Sequence, residues 1–366
     1  MLSSVLAQKR KKSVTKLLSS SAIALAFVAS PNAALADLKV VASFSILGDI
    51  VEHIGGDSVA VTTLVGADQD AHIYIPNVSD ARSVARADVV FLNGLGFETW
   101  ADDLVAGSGT SATVVSVAED LPLELHGDDH DDHDDHDDHD DHDDHDDHND
   151  HDDHDDHDDH DDHDDHDDHD DHDDHEDHQE MDPHAHHDHG GLDPHAWGAM
   201  INAIAYADTI RAALSFADPE NSEKYDENYG AFASAGLALR DGFAERISAL
   251  SAPGTVVTSH DAFGYMAEET GITFLAPLGL NSASAASASQ VRDLIEQLHG
   301  LPNAALFVEN ITNSALIDQI SAETGAVVST ELLYSDALSG SEGPASTYLE
   351  WYGHNLESIL SSLEGN

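Results

Sequence analysis

A low-complexity tract in the middle of the sequence sets the strongest limit on how the chain can fold. From Asp128 to His175 the sequence repeats Asp-Asp-His sixteen times in 48 positions, with Asn149 as the single replacement. Aspartate and imidazole at this density offer no apolar surface that could offset the entropy lost when a chain becomes ordered. We therefore expect this Asp-Asp-His tract to be a solvated loop between segments that do fold.

The chemistry of the tract points to divalent metal ions. Neutral imidazole suits zinc, copper and nickel, while carboxylate oxygen also suits harder ions. The alternative is a solubilising acidic spacer, but a spacer needs no histidine. Without fixed geometry the sites would be many and weak. The candidate low-affinity ligands, in the tract and just after it, are His130, His133, His136, His184, His186, His187 and His189.

The N-terminus predicts export from the cytoplasm. Residues 1–36 contain a cluster of basic residues, an apolar run from Leu17 to Val28, and Ala34-Leu35-Ala36, which is typical of a signal peptide cleaved after Ala36. The apolar run is shorter than the roughly 20 residues that span a bilayer. The sequence has no cysteine, so it lacks both disulfides and the residue that carries lipid in bacterial lipoproteins. These features predict a soluble periplasmic or secreted protein that is not a lipoprotein.

The charge of the chain restricts its partners. The formal net charge is −60 with histidine neutral. A surface of this sign repels nucleic acid and anionic lipid and favours cationic partners. We therefore expect metal ions, and no nucleic acid, among the ligands.

Apolar runs and helical spacings alternate on both sides of the tract. The pattern predicts two α/β lobes, each a parallel sheet flanked by helices, joined by one long helix and separated by a cleft. The predicted boundaries are 37–217 for the N-terminal lobe, including the loop 126–190, then 218–250 for the linking helix and 251–366 for the C-terminal lobe. The predicted strands are 38–44, 59–65, 89–92, 114–117, 256–259, 272–276, 305–308 and 326–329. The predicted helices besides the linker are 46–54, one capped by Asn77, one that begins at Asp193-Pro194 with Ile201 on its buried face, 262–269, 288–298 and 348–363.

Three histidines outside the tract stand where strands pass into loops or helices. His72 follows the second predicted strand, His195 lies in the first turn of a predicted helix, and His260 ends the strand VVTSH. Loops at the carboxyl ends of parallel strands meet at one edge of a sheet, so these side chains could converge. A single histidine in such a place is more often an ordinary polar residue, but three in equivalent places indicate a metal site.

Four segments resemble the ligand motifs of the metal-binding solute receptors of bacterial zinc and manganese ABC importers. They are DAHIYIP (70–76), GLDPHAWGAM (191–200), SHDAFGYMAE (259–268) and LLYSDALS (332–339). The resemblance implies His72, His195, His260 and Asp336 as ligands, with two from each lobe. Ala71 departs from the family, in which proline commonly precedes the first histidine. The sequence 182–185 copies the Asp-Pro-His-Ala of the second motif, but no helix pattern follows it.

The resemblance implies a receptor that captures Zn²⁺ and delivers it to a membrane permease. It is not an enzyme, and a monomer is expected. A periplasmic zinc chaperone is a second candidate partner. Three imidazoles and one carboxylate suit tetrahedral zinc, and the family's manganese receptors tend to have a carboxylate in place of His260. The alternatives are a secreted zinc hydrolase, a periplasmic zinc store and manganese as the cargo.

Overall fold

Two four-stranded parallel sheets with the same strand order form the frame of the protein. The computed structural model describes residues 38–119, 121–122, 192–250, 254–283, 285–301 and 304–364. The first sheet has the order β2-β1-β3-β4 and the second the order β6-β5-β7-β8. The strands are β1 (Leu38–Phe44), β2 (Val59–Val65), β3 (Val89–Leu92), β4 (Thr113–Ser116), β5 (Thr255–Val257), β6 (Thr273–Leu275), β7 (Ala304–Leu306) and β8 (Val327–Val328). The predicted fold class is confirmed.

Register within the first sheet brings apolar side chains together in its centre. Val41 of β1 lies beside Thr62 of β2 and Val90 of β3. Every residue of β3 is buried, as expected for a strand with helices on both faces of its sheet. The carboxyl ends of these parallel strands therefore point to one edge, where the loops that follow them gather.

The helices of the first half cover that sheet. They are α1 (Ser45–Gly55), α2 (Val78–Val84) and α3 (Ala101–Ser108). The predicted cap of α2 is present, because Asn77 Oδ1 accepts from the amide of Ser79 at 2.7 Å and Asp80 Oδ2 accepts from the amide of Asn77 at 2.7 Å. Helix α3 was not predicted. Only Ala101 and Leu104 of its eight residues are buried, too few for a helical pattern.

Two long helices, α4 (Met200–Ala217) and α5 (Ser222–Ser248), separate the sheets along the chain. At about 1.5 Å per residue α5 is roughly 40 Å long. It passes without interruption through three glycines. Gly236 has a packing role, because a Cβ placed there would lie 2.6 Å from Met200 Sδ on α4. The glycines therefore do not break the helix, and one of them permits close helix–helix contact.

The second half adds α6 (Gly264–Thr270), α7 (Ala288–Leu298), α8 (Ala315–Thr324) and α9 (Tyr348–Glu364). The terminal helix α9 contacts α5, α1 and β7, so it ties the two halves together. The largest apolar cluster likewise draws residues from both halves, including Phe44, Trp197, Phe263 and Trp351. Helix α8 was not predicted, since it buries only Ile317 and Ile320.

Two local predictions after the tract are wrong. Asp193 does not cap a helix: a 3₁₀ turn occupies Ala196–Gly198, and α4 begins only at Met200. The carboxylate of Asp193 binds His195 instead. Ile201, expected on the buried face, is 53% exposed. Ala199, in an extended conformation, separates the 3₁₀ turn from α4, so the helical spacing counted from Trp197 does not continue into α4. Among the described residues, no helix has the length and apolar character of a bilayer-spanning segment.

Candidate metal centre

The structure brings His72, His195, His260 and Asp336 together in one buried cluster. One potential ligand atom from each residue lies within 4.8 Å of the others. The Nε2 atoms of His72 and His195 are 3.4 Å apart. Asp336 Oδ2 lies 3.2 Å from Nε2 of His260 and 3.3 Å from Nε2 of His72. Three imidazoles therefore direct the same ring nitrogen towards one carboxylate.

His72 lies on the loop that follows β2, an edge strand of the first sheet. Asp70 Oδ1 accepts from the amide of His72 at 2.8 Å, and Trp100 Nε1 donates to the carbonyl of Ala71 at 2.8 Å. The His72 ring packs edge-on against Phe97 at 4.7 Å between ring centres. Its Nδ1 is buried and has no hydrogen-bond partner among the described residues. The loop is therefore held through its backbone. Within the described residues, no hydrogen bond to Nδ1 fixes the imidazole ring.

His195 is held by the aspartate two residues before it. Asp193 Oδ1 accepts from the amide of His195 at 2.9 Å and from its Nδ1 at 2.7 Å. Asn93, at the end of β3, donates from Nδ2 to the carbonyl of Pro194 at 2.9 Å. These contacts fix the outer ring nitrogen and leave Nε2 free to act as a ligand.

His260 follows β5, an interior strand of the second sheet, and is held by Glu309 at the end of β7. Glu309 Oε1 accepts from the amides of Ser259 at 2.7 Å and His260 at 3.1 Å. Its Oε2 lies 2.6 Å from Nδ1 of His260, an ion-pair contact rather than a hydrogen bond. Both side chains are fully buried. One carboxylate thus restrains both the backbone and the ring of this histidine.

Asp336 reaches the cluster on the loop that follows β8. This loop is fixed to α9 by Asn355, whose Oδ1 accepts from the amide of Tyr334 at 2.9 Å and whose Nδ2 donates to the Tyr334 carbonyl at 2.8 Å. Asp336 is fully buried, and its Oδ1 lies 3.5 Å from Nε2 of His195 without a hydrogen bond to the described part of the chain. A buried carboxylate oxygen without a donor is costly, and a cation at this point would satisfy it.

The charged groups of the cluster shift the pKa values of one another. Burial opposes ionisation of Asp336, but the His260 and His195 rings outweigh it and hold the pKa of this carboxyl well below its usual range. Burial would lower the pKa of His260, but Glu309 and Asp336 raise it well above the usual value. Burial opposes a charge on His195 too, while Asp336 and Asp193 raise its pKa. Protons and a divalent cation would therefore compete for this site.

Sequence reasoning did not identify the residues that hold the ligands. Asp193 was interpreted as a helix cap, although its position two residues before a histidine suits a contact with that histidine. Glu309 comes directly after the predicted strand 305–308, and this position was the available signal. The low-affinity candidates His130, His133, His136, His184, His186, His187 and His189 lie outside the described residues.

Comparison with known proteins identifies the family. The family model for "Zinc-uptake complex component A periplasmic" (ZnuA) matches residues 40–362. The manganese-binding lipoprotein MntA of Halalkalibacterium halodurans is 27% identical over 330 residues, covering 89% of this chain and 88% of the relative. The Mn-bound structure of a periplasmic metal-binding protein from Candidatus Liberibacter asiaticus is 25% identical, with a TM-score of 0.66 over 89% of this chain and 99% of that one.

A further solved structure supports the fold alone. The periplasmic zinc-binding protein TroA of Treponema pallidum superposes with a TM-score of 0.69 at 20% identity, covering 90% of this chain and 99% of TroA. Its resemblance therefore confirms two parallel sheets flanked by helices.

The relatives contradict the prediction that the protein is not a lipoprotein. MntA, PsaA of Streptococcus pneumoniae and MtsA of Streptococcus pyogenes are all named lipoproteins. The prediction relied on the absence of cysteine, which removes one chemistry of lipid attachment and does not decide how a receptor is held at a membrane. The prediction of a soluble protein that is not a lipoprotein is therefore wrong.

The matched region covers most of the chain and includes all four clustered residues. Proteins of this family act with the permeases of ABC transporters and are transport receptors rather than enzymes. The chain belongs to the ZnuA family of metal-binding periplasmic solute receptors of ABC importers.

Proposed function

We propose that this receptor captures Zn²⁺ and delivers it to an ABC permease, with His72, His195, His260 and Asp336 as ligands. The observation that carries the proposal is the convergence of three Nε2 atoms on one buried carboxylate. Three imidazoles and one carboxylate are a donor set that tetrahedral zinc accepts.

Manganese is the alternative cargo. MntA is named for manganese and YfeA of Yersinia pestis for iron, whereas TroA is named for zinc. Manganese prefers sites richer in oxygen donors, and this cluster offers nitrogen at three of four positions. The imidazole of His260 therefore favours zinc.

A hydrolase and a zinc store are weaker alternatives. A catalytic zinc site keeps one coordination position open for water, and Asp336 would occupy that position here. A store would depend on the Asp-Asp-His tract and hold many ions weakly. We propose instead that the tract is auxiliary and raises the local concentration of metal through its histidines.

The other segments of the chain have supporting roles in this proposal. Residues 1–36 would form a signal peptide. Residues 37–217 and 251–366 would act as lobes on either side of the linking helix 218–250. The receptor would work as a monomer and could accept zinc from a periplasmic chaperone before it meets the permease.

Calorimetry with competing metals tests the assignment. The chain lacking Asp128 to His189 is expected to bind one zinc ion tightly, and His195→Ala is expected to lose that binding. His299→Ala, which changes an exposed histidine outside the cluster, is the control. Unchanged zinc affinity in His195→Ala contradicts the ligand assignment. Tighter binding of Mn²⁺ than of Zn²⁺ would make manganese the cargo.

A further inference from the structure

Asp68 connects the loop that carries His72 to the loop that carries Asp336. Its amide donates to the carbonyl of Leu338 at 2.9 Å. Its Oδ2 accepts from the amide of Gly340 at 3.0 Å. Asp68 follows β2 in the first half of the protein, whereas both partners follow β8 in the second. Asp68 thus joins two ligand loops from opposite halves. The His72 loop has a further hydrogen bond to the second half, in which Ser282 Oγ donates to Asp70 Oδ2 at 2.6 Å.

The loop that follows β7 meets the same point through Asn310. Asn310 Nδ2 donates to Asp68 Oδ1 at 3.2 Å and lies 3.3 Å from the carbonyl of Ala337, the neighbour of Asp336. The residue before it, Glu309, holds His260. Asp68 and Asn310 therefore connect the loops that bear His72 and Asp336 to the segment whose Glu309 holds His260, and they do so outside the ligand shell.

The backbone of Asp68 is constrained. Its φ is +55°, in the left-handed region that non-glycine residues enter at some energetic cost. Aspartate and asparagine tolerate this region better than most side chains. In this conformation both the amide and the carboxylate of Asp68 contact the second half. The hydrogen bonds between the halves therefore offset the energetic cost of the left-handed backbone.

Resting on the proposed function, we propose that Asp68 is a positioning residue that sets how long the metal ion stays bound. With Asn310 it forms a latch between the halves, defined as Asp68, Asn310 and the backbone from Leu338 to Gly340. While the latch is closed, His72 and Asp336 remain in register around the ion. When it opens, the His72 loop can withdraw from the carboxylate and the ion leaves.

The test measures zinc release from the full-length chain. Release into excess chelator is followed by the fluorescence of Trp197, whose ring centre lies 5.3 Å from that of His195, in a chain whose other two tryptophans, Trp100 and Trp351, are replaced by phenylalanine. Asp68→Ala is expected to speed release about tenfold, since two hydrogen bonds of ordinary strength are lost. Association should change much less, because related complexes differ mainly in their rates of dissociation.

Three further variants sharpen the test. Gln69→Ala removes a contact made within the same loop, from Gln69 Oε1 to the amide of Gly66, and should leave release unchanged. Asp68→Asn retains one acceptor and a left-handed backbone, so its release rate should fall between those of the wild type and Asp68→Ala. In a double-mutant cycle, Asn310→Ala should add little in a chain that already carries Asp68→Ala.

Specific outcomes would overturn the proposal. One is unchanged release in Asp68→Ala, and another is an equal acceleration in Gln69→Ala. A third is equal acceleration in Asp68→Asn and Asp68→Ala that disappears at high salt, which would show a charge effect. If the wild-type chain releases no zinc from a site that Trp197 reports, the proposed function fails instead.

Discussion

His72 and His260 occupy comparable places in the two halves, yet the protein supports them differently. His72 follows the edge strand β2, seven residues after its end, and its Nδ1 has no hydrogen-bond partner within the described ranges. His260 lies three residues after the interior strand β5, pairs with Leu278 in an isolated parallel bridge, and has Glu309 at its Nδ1. The comparison indicates a fixed ligand in the second half and an adjustable one in the first.

The largest expected effect comes from removing the fixed ligand. His260→Ala should weaken zinc binding by at least on the order of a hundredfold, since one of four ligands is lost and Glu309 keeps a buried charge without its partner. His72→Ala should weaken it less, because no carboxylate supports its Nδ1 within the described residues and Asp336 keeps His260 as a partner. Titration against a competing chelator measures both. A greater loss in His72→Ala would reverse the comparison.

The carboxylate behind His260 should have the next largest effect. Glu309→Gln is expected to lower zinc affinity about 10- to 100-fold, the range typical of residues that orient a metal ligand. The matched change in the other half is Asp70→Asn, since Asp70 holds the backbone of His72 but not its ring. Asp70 Oδ2 also accepts from Ser282 Oγ at 2.6 Å, so Ser282→Ala is measured beside it. It should cost clearly less in the same titration. Equal losses would mean that backbone support alone matters.

The pH dependence of zinc affinity probes the same asymmetry. Because the pKa of His260 is raised well above its usual value, the imidazole stays protonated to higher pH and zinc must displace that proton. Affinity should therefore fall as pH falls, beginning above the usual pKa of histidine, by up to about tenfold per pH unit for each proton displaced. Calorimetry in buffers of different ionisation enthalpy counts the protons.

The matched variant for that measurement is Glu309→Gln. Without the carboxylate the pKa of His260 should drop, so the affinity of the variant should change less steeply with pH than that of the wild type. An identical slope in both proteins would show that Glu309 does not set the proton affinity of this histidine.

The smallest expected effect lies far from the site, where the halves meet at the surface. Arg246 of α5 pairs with Glu357 of α9 at 2.5 Å, and the two side chains are 37% and 56% exposed. Arg246→Ala should lower the free energy of unfolding by only about 0.5 kcal/mol, because solvent and salt screen such pairs. Zinc affinity should not change. Denaturant unfolding beside the zinc titration measures both, and a loss of affinity would show that the junction of α5 and α9 influences the site.

The strands and helices that could be predicted are those with a clear local pattern of apolar residues or of capping residues. Apolar runs predicted all eight described strands, and Asn77 with Asp80 predicted the N-terminal cap of α2. Helices α3 and α8 were missed because each buries only two side chains. The start of α4 was misplaced because the pattern after Pro194 does not distinguish a 3₁₀ turn from an α-helix.

The three clustered histidines were found from their places at the ends of strands and the start of a helix, and Asp336 only from the resemblance of its motif to the family. Their supports were not, since Glu309 acts on His260 across 49 positions and Asn310 on Asp68 across 242. Such contacts depend on how loops from different strands meet, and no local pattern encodes that. Asp193 is close to His195 in the sequence, so a contact between them could have been predicted. The sequence, however, allowed its carboxylate either to cap a helix or to bind the histidine.

The continuous helix α5 has a thermodynamic consequence for metal capture. Because it packs against α1 and α4 of the first half and α9 of the second, large rotations of one half against the other would expose apolar side chains that α5 buries, such as Phe232 and Phe243. Loop movement exposes much less. Metal binding should therefore show a small change in heat capacity, the quantity that reports buried apolar area. The permease would then distinguish loaded from empty receptor by local surface features rather than by overall shape.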